Sequence, residues 1–333
     1  MSELLSPASP WAFTLVERTG RASVRRLLTV QPGMCGSLQA LVASVGDWTW
    51  ETVSTVCGLD VFNARDARGT PSYLAFYYYR IASRGGLQLK HLTFGDRLEV
   101  QSLVFDAGRL SVVTVHRLRL VTGSAEADGT EPFEAAEAYT RPRADCLYIE
   151  NLNVWVSRSD ADSNVGLVHC PPVGFAEARL PRLPDAYSPR RLCTTARSSH
   201  VFPDPARDNW PRSCPDLVMD HAVDLVHDIN GVGLLYFASF FSIAERAQLQ
   251  QWRSLGRSDR SFLGRGVRDS RICYLGNADL DATLSVRLRS SHNPDDPAEE
   301  KNDFVIHDVS TDRTIAVATA RHHSHYHSRE HKE

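Results

Sequence analysis

Apolar residues at Leu38, Leu41, Val42, Val45, Trp48 and Val53 recur at near-helical spacing. They predict one central helix over Ser37 to Val56, stopped by Gly58. A short apolar run, Leu27 to Val30, and a turn at Pro32-Gly33 precede it. After the turn-rich stretch Asn63 to Pro71, the run Tyr73 to Ile81 is almost wholly apolar or aromatic, which suits a strand. Alternation puts Tyr73, Ala75, Tyr77 and Tyr79 on one face and Leu74, Phe76 and Tyr78 on the other. Gly95-Asp96 opens a further strand, Arg97 to Phe105, and Ala107-Gly108 turns it into a hairpin partner, Leu110 to Leu120.

The second half repeats this order. A strand at Ala222 to His227, a turn at Asp228 to Gly233 and a helix over Leu234 to Trp252 are expected. Closing strands follow at Ala282 to Arg289, Asp303 to Val309 and Arg313 to Ala320, with a Pro-Asp-rich loop at Asn293 to Asn302. Gly36-Ser-Leu-Gln lies against Gly233-Leu-Leu-Tyr, and Gly46-Asp47 against Ala244-Glu245. Two copies indicate duplication rather than a solenoid. A helix apolar over more than one stripe is a buried helix, and an antiparallel sheet wrapped round it fits the pattern. The units are an N-terminal arm (1–26), a first block (27–149), a Pro/Arg-rich connector (150–215), a second block (216–321) and a His-rich tail (322–333). Proline density over 170–215 argues against regular elements there.

Length and charge narrow the function. The chain has 333 residues, enough for two domains with a large core. A net charge of −3 argues against a generic nucleic-acid binder. Lysine occurs only at positions 90, 301 and 332, so the positive charge is nearly all arginine. No run is long and apolar enough to span a membrane, and the N-terminus does not read as a secretory signal. The seven scattered cysteines include no CxxC pair. They read as reduced thiols in a cytoplasm, without a cysteine metal site. No HExxH spacing offers a metal site either, and the HxH spacings, His323-Ser-His325 and His325-Tyr-His327, fall in the His-rich tail, where adventitious metal binding is the expectation.

Several strings carry a resemblance. Pro32-Gly-Met-Cys-Gly36, Gly46-Asp-Trp-Thr-Trp-Glu51, Tyr73-Leu-Ala-Phe-Tyr-Tyr78, Glu150 to Arg158 and Gly231-Val-Gly-Leu-Leu-Tyr-Phe237 are similar to the double-hotdog, LnmK-like acyltransferase/decarboxylase family of polyketide biosynthesis. That implies an α+β fold of two tandem hotdogs, each a long central helix wrapped by an antiparallel sheet. It also implies methylmalonyl-CoA as substrate and a propionyl group on an acyl carrier protein as product. The partners would be the acyl-CoA and the carrier's phosphopantetheine, with no separate cofactor. A homodimer is compatible with this picture. Two other readings stand beside it: a hotdog thioesterase on acyl-CoA or acyl-carrier substrates, and a non-catalytic carrier-docking module.

Decarboxylation of a malonyl thioester needs donors aimed at the thioester oxygen. Glycine turns before helices supply bare amides, which nominates Gly36, Asn230, Gly231 and Gly233. The resemblance points to a tyrosine as acyl acceptor or oxyanion contact; Tyr73 is preferred and Tyr77 held in reserve. Asp228 and Asn230 serve either the chemistry or the capping of the helix that follows. Asn153, Trp155 and Arg158 either cover a pocket, with Arg158 on a carboxylate or CoA phosphate, or clasp the two halves together. Asp47 and Glu51 share a helical face, as an acid/base pair or as a polar stripe. Trp48 and Trp50 read as packing residues and Glu245 as a solvated helix end. The arginines at 257, 260, 265, 268 and 271 suit phosphates or an acidic partner, unless they face solvent.

Overall fold

The computed structural model describes residues 14–108, 111–121, 131–175 and 179–324. Its spine is a 12-stranded antiparallel sheet. The first half contributes β1 (Thr14–Arg18), β2 (Ser23–Thr29), β3 (Tyr73–Ser83), β4 (Arg97–Asp106), β5 (Ser111–Leu120) and β6 (Cys146–Arg158). A short β7 (Leu167–His169) pairs with β6. The second half contributes β8 (Leu217–Ala222), β9 (Gly266–Tyr274), β10 (Thr283–His292), β11 (Glu299–Asp308) and β12 (Arg313–His323). The order β2-β4-β5-β6-β3 is mirrored as β9-β12-β11-β10-β8, and β3 pairs with β9 at the seam. Arg80 of β3 reaches Asp269 of β9 across that seam at 2.6 Å, and Arg271 of β9 holds the same carboxylate at 2.5 Å.

Each half wraps one helix, α1 (Leu38–Cys57) or α4 (Ser239–Ser254), and the architecture is a tandem double hotdog. The predicted apolar positions of α1 are buried on the sheet. Ser37 Oγ accepts the Ala40 amide at 3.1 Å, and Gly58, at φ 68°, ends the helix. The core runs unbroken through both halves, from Leu41 and Val45 to Ile243, Ala247 and Ile306. Each such side chain removed from water contributes about 1.5–3 kcal/mol. Two short helices, α2 (Ala135–Thr140) and α5 (Asp259–Leu263), lie outside the wrap.

The arm is partly structured, since β1 and the start of β2 fall inside 1–26, with Val24 and Arg26 buried. The boundary at 150 cuts β6, a buried strand in which apolar and polar residues are interleaved, so hydropathy alone hides its length. The proline-rich connector holds α3 (Arg190–Ser199), because 190–202 is free of proline and Pro189 starts the helix. Its Cys193 and Ala196 cover the outer face of the sheet beside Tyr78 and Phe202. In the second half β8 ends where a strand was expected to begin, and β11 starts inside the expected loop. The second helix begins at Ser239, not Leu234, because Leu234 to Phe237 pack as a pinned loop. His322 and His323 belong to β12. Residues 1–13 of the arm, 122–130 of the acidic loop and 325–333 of the tail lie outside the described residues.

Candidate active site

A cavity of about 350 Å³ opens between the two halves, a size typical of small-ligand sites. The first half supplies Gly46, Asp47 and Trp50 from α1 and Tyr73 to Phe76 from β3. The second half supplies the loop Asn230 to Phe237, then Phe240, Tyr274 and Asn277. Exposed Phe62 and Val232 mark its mouth, and buried Phe76, Phe240 and Tyr274 its depth. Neither half forms this space alone.

The loop is shaped from outside. Asn230 Oδ1 accepts the amides of Val232 (3.1 Å) and Leu234 (2.9 Å), and Asn277 holds both backbone groups of Leu235 at 3.0 Å. Arg158 Nη2 donates to the Val232 carbonyl at 2.5 Å, and Asn164 Nδ2 to the Gly233 carbonyl at 2.8 Å. Asp228 accepts from His221 at 2.7 Å and from the Asp224 amide at 2.9 Å. Burial opposes its ionisation, but the His221 and Asp224 hydrogen bonds outweigh that and hold the carboxyl below its ordinary value. The amides of Gly231, Phe237 and Ala238 have no acceptor among the described residues.

No lysine, arginine or histidine lines the cavity among the described residues. Its one acidic group is Asp47, which has no hydrogen bond or ion pair among them. Burial, and then the neighbouring Glu51, push its carboxyl upward. Glu51 itself turns away to Arg26 at 2.6 Å, so the two are not an acid/base pair. Burial, and then Asp47, push the Tyr236 hydroxyl up to about 12. The hydroxyl of Tyr73 has no partner among the described residues.

Of the residues nominated from sequence, Tyr73, Asn230 and Gly231 line the cavity. Tyr77 does not. A bulge between Phe76 and Tyr78 breaks the expected alternation, so Tyr79 joins Phe76 on the inner face while Tyr77 and Tyr78 face outward. Tyr77 accepts from Arg197 of α3 at 3.1 Å. Gly36, at φ 93°, sits in the exposed turn before α1, away from the cavity. The Gly233 amide is occupied by the Asn230 carbonyl at 2.9 Å. Asp228 braces the loop from below rather than capping α4. Asn153 and Trp155 are buried in β6, with Trp155 edge-on to Phe175 at 5.5 Å. Arg158 is engaged as a clasp, on the Val232 carbonyl and on Asn164 Oδ1 at 3.0 Å. Of the arginines after α4, Arg257 is engaged by Glu300, Arg265 by Gln248, Arg268 by the Arg84 carbonyl and Arg271 by Asp269, while Arg260 is exposed.

Asp47, Trp50, Tyr236 and Asn277 carried too weak a signal in one sequence. Trp50 belongs to the wall, its Nε1 bonded to the Leu74 carbonyl at 2.9 Å. Spacing placed Asp47 on the right helix but could not show that Glu51 is drawn off by Arg26.

A profile of the LnmK N-terminal Hot Dog Fold domain matches residues 25–204. A Lactobacillus plantarum protein described as an oleoyl thioesterase superposes with a TM-score of 0.56 at 11% identity, over 91% of this chain and 95% of that one. The 12:0-ACP thioesterase from Umbellularia californica gives 0.50 at 11% identity, over 92% and 99%. No curated protein sequence matches the chain. At that identity the two structures establish a shared fold.

Proposed function

Since the chain belongs to the LnmK N-terminal Hot Dog Fold domain family, we propose that it decarboxylates methylmalonyl-CoA and passes the propionyl group to an acyl carrier protein. The observation that carries this is a cavity that, among the described residues, is lined by no cation and holds one unpartnered carboxyl, Asp47, and two unpartnered tyrosine hydroxyls, Tyr73 and Tyr236. A malonyl carboxylate placed there finds no counter-ion. Breaking its bond to the α-carbon releases neutral CO2 and moves the electron pair into a thioester enolate. The negative charge then sits on the thioester oxygen, where the Tyr73 hydroxyl and the bare Phe237 or Gly231 amide can donate. One such donor is worth about 3–4 kcal/mol. Asp47, its carboxyl pushed upward by burial and then by Glu51, serves as the acid that gives a proton to the α-carbon and recovers one from solvent. The carrier's thiol attacks the carbonyl, and the CoA thiolate leaves with that proton. Tyr73 serves as a donor here, a role that needs neither an adjacent base nor a local positive potential.

Asp47 also favours a second reading, hydrolysis, in which its carboxylate activates water. Incubation with methylmalonyl-CoA and phosphopantetheinylated carrier, read by intact mass, separates the cases. A propionyl gain on the carrier is expected. A methylmalonyl gain, free acid with unloaded carrier, or unchanged substrate overturns the proposal.

A further inference from the structure

One half-buried ring of the cavity wall, Phe237, stands between the cavity and the aromatic core behind it. Phe237 stacks on Phe76 with centroids 3.9 Å apart and planes 21° from parallel. Behind it stands Tyr79, fully buried, at 6.2 Å, with Phe241 packed edge-on against Tyr79 at 5.5 Å. The seat of the ring is Gly46, where an added Cβ would overlap the tip of Phe237. Gly46 lies in the middle of α1, where glycine weakens a helix relative to alanine. Close passage of the Phe237 ring over the helix backbone accounts for that choice. The ring is fixed from its own backbone too, since the Tyr274 hydroxyl donates to the Phe237 carbonyl at 3.0 Å.

We propose that Phe237, seated on Gly46 and stacked on Phe76, is the acyl gauge of this site, admitting a short acyl group and excluding longer chains. This rests on the acyl-thioester reading above. On this proposal an acyl group enters past Phe62 and Val232 and extends from Tyr73 and Asp47 toward the aromatic stack. Up to the stack, each methylene buried strengthens binding roughly fourfold. Beyond it, a methylene must displace a ring wedged between Phe76, Tyr79 and the α1 backbone. Close-packed interiors yield poorly to such intrusion.

The test uses the full chain and non-reactive acyl-CoA thioethers with acyl chains from acetyl to dodecanoyl, with binding read by calorimetry. The wild type is expected to gain affinity over the first few carbons and then lose it. In Phe237→Ala the rise should continue for about two or three more methylenes, a gain of roughly tenfold or more for the longer chains. Phe237→Leu should fall between the two. Gly46→Ala pushes the ring into the cavity and should weaken even the short chains, while unfolding curves confirm that it still folds. An unchanged chain-length profile in both Phe237→Ala and Phe237→Leu overturns the gauge while leaving the acyl-thioester reading intact. No binding of any thioether by the wild type overturns the reading itself.

Discussion

The two hotdogs keep a buried polar pair beneath their helices and differ in what lies beside it. In the first half Ser102 faces His116 across β4 and β5 at 2.8 Å, and Thr49 of α1 meets the other ring nitrogen at 3.0 Å. In the second half Ser290 faces Asn302 across β10 and β11, with its hydroxyl 2.6 Å from Asn302 Oδ1 and 2.5 Å from Gln251 of α4. Both halves thus keep a buried cross-strand serine with a polar partner beneath the helix, while the partner and the helix residue that joins it differ. The space beside the helices is not kept. Next to Gly46 and Asp47 the cavity measures about 350 Å³, whereas next to Ala244 and Glu245 only about 20 Å³ remains, room for about one water. There Arg265 reaches Gln248 at 3.2 Å, Phe241 fills the wall, and fully buried His322 closes the strand side. One half holds the acid, the tyrosine and the helix; the other lends its entrance loop and keeps its own pocket shut.

The comparison can be broken in several ways, the sharpest being at the proposed chemistry. Tyr73→Phe removes a donor from the first half's cavity and should lower propionyl transfer by about a hundred- to a thousandfold in single-turnover assays. Tyr77→Phe, one face away, should stay within about twofold. Equal losses would place the chemistry elsewhere.

A second test uses the buried pair. Burial, and then Arg26, push the His116 imidazole down to about 3. The unfolded chain protonates it near 6.5, so between these values the unfolded state binds more protons than the folded one. Stability therefore falls as pH drops from about 6.5 toward 3, by up to about 1.4 kcal/mol per unit. His116→Asn, which copies the second half, should flatten that slope in urea titrations at pH 7, 6 and 5. An unaltered slope would mean that His116 is not held neutral.

A smaller effect is expected at the clasp. Arg158→Ala frees the Val232 carbonyl and should cost about 1.5–3 kcal/mol of stability and raise KM more than it lowers kcat. A change in kcat alone would make Arg158 a participant in the chemistry. The smallest effect concerns the closed pocket, where Glu245→Gln should leave turnover within about twofold; a large loss would make the second half a working site.

Helix α1, with its stop, was legible because every apolar position obeys one period, and the duplicated element order was legible for the same reason. Tyr73, Asn230 and Gly231 were reachable because strand starts and glycine turns leave local marks. Tyr77 was misplaced because a bulge is a property of two strands together, and alternation within one strand cannot reveal it. The second helix was drawn too early because Leu234 to Phe237 are apolar for a different reason, as a loop wall fixed by Asn277, more than forty residues downstream. Gly233 was misjudged likewise: its amide is taken up by the Asn230 carbonyl, a pairing set by the fold of the loop.

The central claim is that the acyl thioester lies between the halves, with its carbonyl at Tyr73. A crystal structure with a non-reactive methylmalonyl-CoA analogue tests it most directly. The account predicts the carbonyl oxygen within hydrogen-bond distance of the Tyr73 hydroxyl, and the acyl group against Phe237 and Asp47. An acyl group lodged beside Glu245 and Arg265, or a pantetheine arm that never passes Val232, would contradict it.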